Sequence, residues 1–188
     1  MNTKEVRKQI KQLQKQLAET ESYRKAGPAE RRCIEARDVI AQLKAERYIA
    51  SRGAYFNDIG EVEDSHSQMQ PLLLQGAIKC EVCAKAGILA SSIRFRNKCT
   101  VYEARGYEGG PIEGWPKRDL DLMEVAFEKR HTNINEVNQF DNYANSVTGK
   151  DTAAARVAVK FGKRFTNDTN RLIAIMQNVI TNKGTFRP

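Results

Sequence analysis

"LLLQGAIKCEVCAKAGILASSIRFRN", residues 72 to 97, is the stretch whose reading decides the fold. Leu73, Ala77, Cys80, Ala84 and Ile88 recur at intervals of four, three, four and four, and Ile78, Val82, Leu89 and Ile93 form a neighbouring row. That period predicts one broadly apolar helix, the central one of the molecule. Small residues at Ala84, Ala86, Gly87 and Ala90 let another helix approach closely, at the cost of glycine's low helix propensity. On such a helix Cys80 and Cys83 are buried neighbours one turn apart, because cysteine is among the most buried residue types.

Upstream, Val6, Ile10, Leu13 and Leu17 form one narrow apolar stripe among Lys, Gln and Glu, which predicts a helix over about residues 3 to 26. Gly27 and Pro28 in "AGPAERR" break the chain, and Cys33, Ala36, Ile40 and Leu43 repeat the pattern over residues 29 to 51. A narrow seam wants a partner helix, so the two read as a helical hairpin or as arms that pair between subunits. Val6, Ile10, Leu13, Leu17, Ile40 and Leu43 are the expected oligomerisation residues. With only about two heptads of apolar residues per arm, a long autonomous coiled coil is not expected.

Between the arms and the central stretch lies "SRGAYFNDIGEVEDSHSQMQP", interrupted at Gly53 and Gly60 and rich in carboxylates, read as a loop with a short extended piece over residues 54 to 59. Its acidic residues lack the alternation and the twelfth-position glutamate of a calcium loop. Downstream, "CTVYEARGYEGGPIEG", residues 99 to 114, combines a short strand-like run with a Gly-rich surface loop. A helix over 117 to 130 buries Leu120, Met123, Ala126 and Phe127. The Asn-rich run from Asn133 carries Val137, Phe140, Tyr143 and Ala144 at helical spacing. Asp151 is a plausible N-cap for the next helix, and Thr166 or Asn167 caps the last, whose apolar face is Leu172, Ile175, Met176 and Val179. The fold class is therefore mainly α: helical arms at 1–52, an acidic linker at 53–75, and a compact helical domain at 76–188 with a Gly-rich loop and at most a short strand element.

The 188 residues carry 31 Lys and Arg against 23 Asp and Glu, a net charge of +8. Residues 1 to 52 hold 13 of those cations against 7 carboxylates, and residues 132 to 188 hold 8 against 4, so the positive charge sits at the two ends. Such a balance favours an anionic partner, with a merely solvating surface as the plain alternative. No apolar run reaches the roughly 20 residues of a membrane helix, and the N-terminus has no signal-peptide core, so the expected location is cytoplasmic, with no membrane contact.

The familiar catalytic motifs are missing. Gly149 and Lys150 in "NSVTGKDT" suggest a phosphate loop, yet Asp151 replaces its Ser or Thr and Ala144 its first glycine. With two histidines and no paired nucleophile and base, no catalytic residue is expected. Cys80, Cys83 and Cys99 can supply three ligands to zinc, with Cys33, His66 or His131 as the fourth, but the paired knuckles of a structural zinc site are absent. A redox dithiol lacks its βαβ setting. No resident cofactor is expected, with zinc as the alternative.

Binding residues are easier to find. Arg94, Arg96 and Lys98 alternate after the central helix with Phe95 between Arg94 and Arg96, and Arg156, Lys160, Lys163 and Arg164 stack on one helical face with Arg171 beyond. Such cations suit phosphates, and Tyr107 and Trp115, with Tyr55 and Tyr102, can stack on a base. Phe95 and Trp115 read equally well as core.

"CEVCAKAGILASSIRFRN", "LDLMEVAFEKR" and "RLIAIMQNVITNKGTFRP" together resemble a group of small accessory proteins encoded by bacteriophages and the bacteria they infect, over roughly the last 110 residues. The resemblance brings no activity, cofactor or catalytic residue. It implies a setting in which small proteins bind and neutralise a host component, including immune signalling nucleotides. The expectations are a non-enzymatic binder that sequesters such a nucleotide in a counter-defence role, or a protein-interaction or nucleic-acid-binding factor acting through its arms. The expected partners are an anionic ligand or nucleic acid, together with further copies of the chain.

Overall fold

A computed structural model describes residues 2–52, 56–59, 67–76, 79–96, 99–105, 111–128 and 149–188. It is mainly helical, as the apolar periods require. The described elements are α1 (Thr3–Lys25), α2 (Pro28–Lys44), β1 (Tyr48–Ala50), β2 (Phe56–Ile59), α3 (Met69–Gln75), β3 (Lys79–Val82), α4 (Ala84–Arg96), α5 (Val101–Arg105), α6 (Lys117–Glu128), α7 (Gly149–Lys163) and α8 (Asp168–Thr181).

The opening stretch is not one helix. Gly76 takes the left-handed conformation, with φ at 65°, and its amide closes α3 on the carbonyls of Leu72 and Leu73. Residues 79–82 then run as a strand with partners on both sides, parallel to β1 and antiparallel to β2, giving the sheet order β1-β3-β2. In "KCEV" Cys80 and Val82 are buried while Lys79 is exposed and Glu81 half-buried, the alternation of a strand. Cys80 therefore sits in the sheet, and Cys83 sits just ahead of α4, where its carbonyl accepts from the Gly87 amide and its Sγ from the Ala86 amide.

α4 is central, as expected for its sequence. It is apolar nearly all round and packs against α2, α3, α6 and β3. α1 and α2 form a hairpin-like pair around Gly27 and Pro28, Pro28 taking the first helical turn. The seam of α2 does not wait for α1, however. Cys33, Ala36 and Leu43 are buried, Ile40 is half-buried, and the helix packs chiefly on α8, whose Leu172, Ile175, Met176 and Val179 are buried. Arg32 ties the same helix to two turns, donating from Nε to the Gly184 carbonyl at 2.6 Å and from Nη1 to the Gly114 carbonyl at 2.8 Å.

Three further expectations change. Residues 101–105 are helical where a strand-like run was expected, because Thr100 and Glu103 cap each other: the Glu103 amide donates to Thr100 Oγ1, and the Thr100 amide to Glu103 Oε2. α2 ends at Lys44, short of the expected 51, since Tyr48 to Ala50 pair with β3. α7 begins at Gly149, so Asp151 lies inside it rather than capping it. Asn167 does cap α8, accepting from the Asn170 amide at 3.0 Å. The Asn-rich segment with Val137, Phe140, Tyr143 and Ala144, together with His66 and His131, falls outside the described residues.

α6 and α7 touch backbone to backbone. A Cβ added to Gly162 would lie 1.9 Å from the Ala126 carbonyl oxygen, so no side chain fits without parting the helices. Gly162→Ala is expected to cost about 3 kcal/mol, the range of an overpacked core, and to lower the chemical-denaturation midpoint. An unchanged midpoint would contradict this packing.

Candidate functional site

The basic end of α4 shows how the fold treats its arginines. Arg94 donates from Nη1 to Asp38 Oδ1 at 2.6 Å, and both side chains are nearly buried. Burial pushes the Asp38 carboxyl up, and the Arg94 guanidinium opposes that shift. One turn of α2 away, Glu35 is fully buried. It accepts from the Tyr23 hydroxyl at one oxygen and from Trp115 Nε1 at the other, each at 2.5 Å. Arg96 completes the cluster, donating from Nε to the Tyr23 oxygen at 2.7 Å and reaching Glu35 at 3.5 Å, the Glu113 carboxylate at 2.8 Å and the Glu113 carbonyl at 2.9 Å.

Burial raises the Glu35 carboxyl, against the pull of its Tyr23, Trp115 and Arg96 donors, and burial together with Glu35 raises the Tyr23 phenol. Phe95 stacks on the Tyr23 ring, centroids 4.8 Å apart at 10°. Arg94, Arg96, Phe95 and Trp115 thus come together around carboxylates of α2. Their polar groups turn inward and seat the C-terminal end of α1 on the body.

Arg171 is likewise internal. It is fully buried and donates to the carbonyls of Gly162, Phe127 and Phe165 and to Asp168 Oδ1, at 3.1, 3.2, 2.7 and 2.8 Å. Lys98 and Tyr107 lie outside the described residues, as does Tyr55; Tyr102 is exposed on α5.

The other cations face solvent. Arg156, Lys160 and Lys163 are exposed on α7, with Arg164 just beyond it, while Ala158, Val159 and Phe161 of the same helix are buried. The Arg164 guanidinium lies 4.3 Å from the Phe161 ring centre, which holds it in place while leaving it open. Among the described residues none of these four forms an ion pair. A second exposed set, which motif spacing did not single out, runs along α1: Lys4, Arg7, Lys8, Lys11 and Lys15. The charge excess of residues 1–52 was its signal. Among the described residues, only Lys15 of this set has an ion-pair partner, Glu19, at 3.8 Å on the surface.

One groove, about 640 Å³, is lined by Lys4, Arg7, Lys8 and Lys11 of α1 with Asn2 and Glu5, and the α7 cations do not line it. Another, between α1 and α2, about 290 Å³, is lined by Glu19, Asp38 and Arg37 with Ser22, Ile34, Ala41 and Phe95, so carboxylates outnumber cations there. The thiols also group differently from the expected set. Among the described residues the metal-capable cluster is Cys83 with Glu124 and Glu128, whose ligand atoms lie within 4.8 Å of one another, rather than Cys83 with Cys80 and Cys99. These three side chains offer a thiol and two carboxylates to a borderline divalent cation. Cys83 and Glu124 also hydrogen-bond each other, and burial raises both the Cys83 thiol and the Glu124 carboxyl. Burial and Glu103 push the Cys99 thiol up to about 11, so neither cysteine is poised for nucleophilic or redox work.

Comparison with protein-family models, with curated proteins and with solved structures finds no match for this chain.

Trp115 is the only tryptophan, and its emission reports directly on the Glu35 cluster. Glu35→Ala leaves two buried donors and a guanidinium short of their acceptor, and is expected to cost about 3–5 kcal/mol and to shift that emission to the red. An unshifted spectrum at unchanged stability would show that the cluster does not hold the neck together. In the native protein Cys99 should alkylate at pH 7.5 roughly a hundred-fold more slowly than a free thiol, accelerating as pH rises towards 11. Rapid labelling at neutral pH would refute the raised thiol.

Proposed function

We propose that this protein is a non-enzymatic binder of phosphate-bearing polyanions, meeting a nucleic-acid backbone along the exposed cations of α1 and α7. The observation that carries this reading is the division of charge. The arginines that could close around a small ligand are engaged by Asp38, Glu35 and backbone carbonyls, while among the exposed cations Lys4, Arg7, Lys8, Lys11 and Lys15 form a row on α1 and Arg156, Lys160 and Lys163 a row on α7.

The rows have the reach of a backbone rather than of a single phosphate. Arg156 to Lys163 spans seven residues, about 10 Å of helix, which is about three phosphates along one strand. Lys4 to Lys15 spans about 16 Å. A small signalling nucleotide is usually held in a concave pocket that buries most of its surface around convergent polar groups. Exposed lysines on a helix instead act as point charges that displace counterions, which gives affinity without base selection. In a phage setting a binder of this kind would cover nucleic acid rather than capture a nucleotide.

Fluorescence anisotropy with a labelled DNA duplex and with a labelled cyclic dinucleotide separates the two. Duplex affinity should fall linearly with salt on a log–log plot, with a slope near −4 for about four phosphate contacts. The Lys160→Ala/Lys163→Ala pair should flatten that slope by about 2 without changing the Trp115 emission. Salt-independent binding, or binding of the dinucleotide and not the duplex, would overturn the proposal.

A further inference from the structure

α1 is built differently from the other long helices among the described residues. Tyr23 and Ala26 are buried at its C-terminal end, but Ile10 and Leu17 remain 48% and 61% exposed and Val6 is only half-buried. Among the described residues α2 and α4 meet it at its C-terminal end, around Tyr23. The helix is held by a neck at Tyr23, and among the described residues Ile10 and Leu17 of its apolar stripe are left exposed, whereas the equivalent stripe of α2 is covered by α8. A lone helix in water gains little from propensity alone, so an exposed stripe at coiled-coil spacing marks a surface that another helix completes.

The stripe itself says which helix. Val6, Ile10, Leu13 and Leu17 are spaced four, three and four, a pattern that reads the same in both directions. Laid antiparallel on a second copy, Val6 meets Leu17 and Ile10 meets Leu13, the numbers in each facing pair adding to 23. The free part of the helix, from Thr3 to Thr20, is centred on the same point. Two arms therefore overlap along their whole exposed length, each tip ending at the other's neck. The residues flanking the seam would pair Gln9 with Gln16 and Arg7 with Gln14, so no like charges face each other there.

Charge also selects the direction. Residues 3–11 carry four cations against one carboxylate, whereas residues 12–21 carry one cation against two carboxylates. An antiparallel pair lays each basic tip beside the partner's acidic neck, where Glu19 and Glu21 are exposed, and a parallel pair would stack the two basic tips. We propose that α1 is a dimerisation arm whose partner is the α1 of a second copy of this chain, packed antiparallel over Val6 to Leu17. The proposal does not depend on what the cations bind, because the stripe and the exposed lysines are different residues.

Sedimentation velocity on the whole protein tests it. The wild type should move from a 21.3 kDa monomer towards twice that mass as concentration rises from about 1 to about 200 µM, as mass action requires. Ile10→Asp and Leu17→Asp should each remain monomeric over that range, with Trp115 emission unchanged because neither touches the body. Direction is read from disulfide trapping. A mixture of Gln9→Cys and Gln16→Cys proteins should cross-link one to the other, and neither protein should cross-link to itself. A wild type that stays monomeric, an Ile10→Asp protein that still dimerises, or single variants that cross-link to themselves would each overturn the proposal.

Discussion

The body of the protein depends on one buried guanidinium. Arg171, in the first turn of α8, donates to Phe127 at the end of α6, to Gly162 near the end of α7 and to Phe165 just beyond it. Helix C-termini leave carbonyls without intrahelical partners, and burying them unanswered is costly. A single planar group with five donors answers several at once and places positive charge where the helix dipoles are negative. Gly162 serves both sides of this arrangement. Its missing side chain lets α7 press against Ala126, and its carbonyl is one of those that Arg171 accommodates.

Glu35 is the mirror image of that device at the other end of the molecule. There a buried carboxylate gathers donors from α1, α4 and the turn before α6, and so connects the arm to the body through Tyr23 and Trp115. The Tyr23 hydroxyl accepts from Arg96 while it donates to Glu35, so the phenol is a link in a chain of polarised bonds rather than a terminal group. Both devices use arginine. The lysines of α1 and α7 remain outside, which fits the stronger hydration of an ammonium group.

Local features were legible in the sequence and distant pairings were not. The arms, α6, the apolar face of α8 and its Asn167 cap follow from periodicity and capping residues that lie within a few positions of one another. The stretch from Leu72 to Arg96 reads as one helix on its period alone because an apolar run that suits a buried helix also suits a buried strand. Gly76 was the local sign of the break. Yet β3 is a strand only because Tyr48–Ala50, some thirty residues earlier, lies beside it. The same limit applies to the site. Arg94 and Arg96 were visible as a basic pair, but their carboxylates are 56 and 61 residues away on α2, and no spacing rule connects them. The cations of α7 kept their expected exposure because their own helix periodicity places them opposite Ala158 and Phe161.

The two faces of α1 have consequences for each other. If arms pair over Val6 to Leu17, the seam is withdrawn from solvent and Lys4, Lys8, Lys11 and Lys15 remain on the outside of a two-helix rod, each tip beside the neck of the other copy. The rod then presents two rows of cations whose sum doubles while the apolar surface disappears, and a row repeated by two-fold symmetry suits an extended anion better than either row alone. Pairing would also protect the arm from fraying, because the free helix has few contacts of its own beyond the Tyr23 neck. Dimerisation and polyanion binding would then reinforce each other through shape and charge while using separate side chains, so a substitution on the stripe and one on the cation rows act on different terms. The coupling between them runs through the concentration of paired arms.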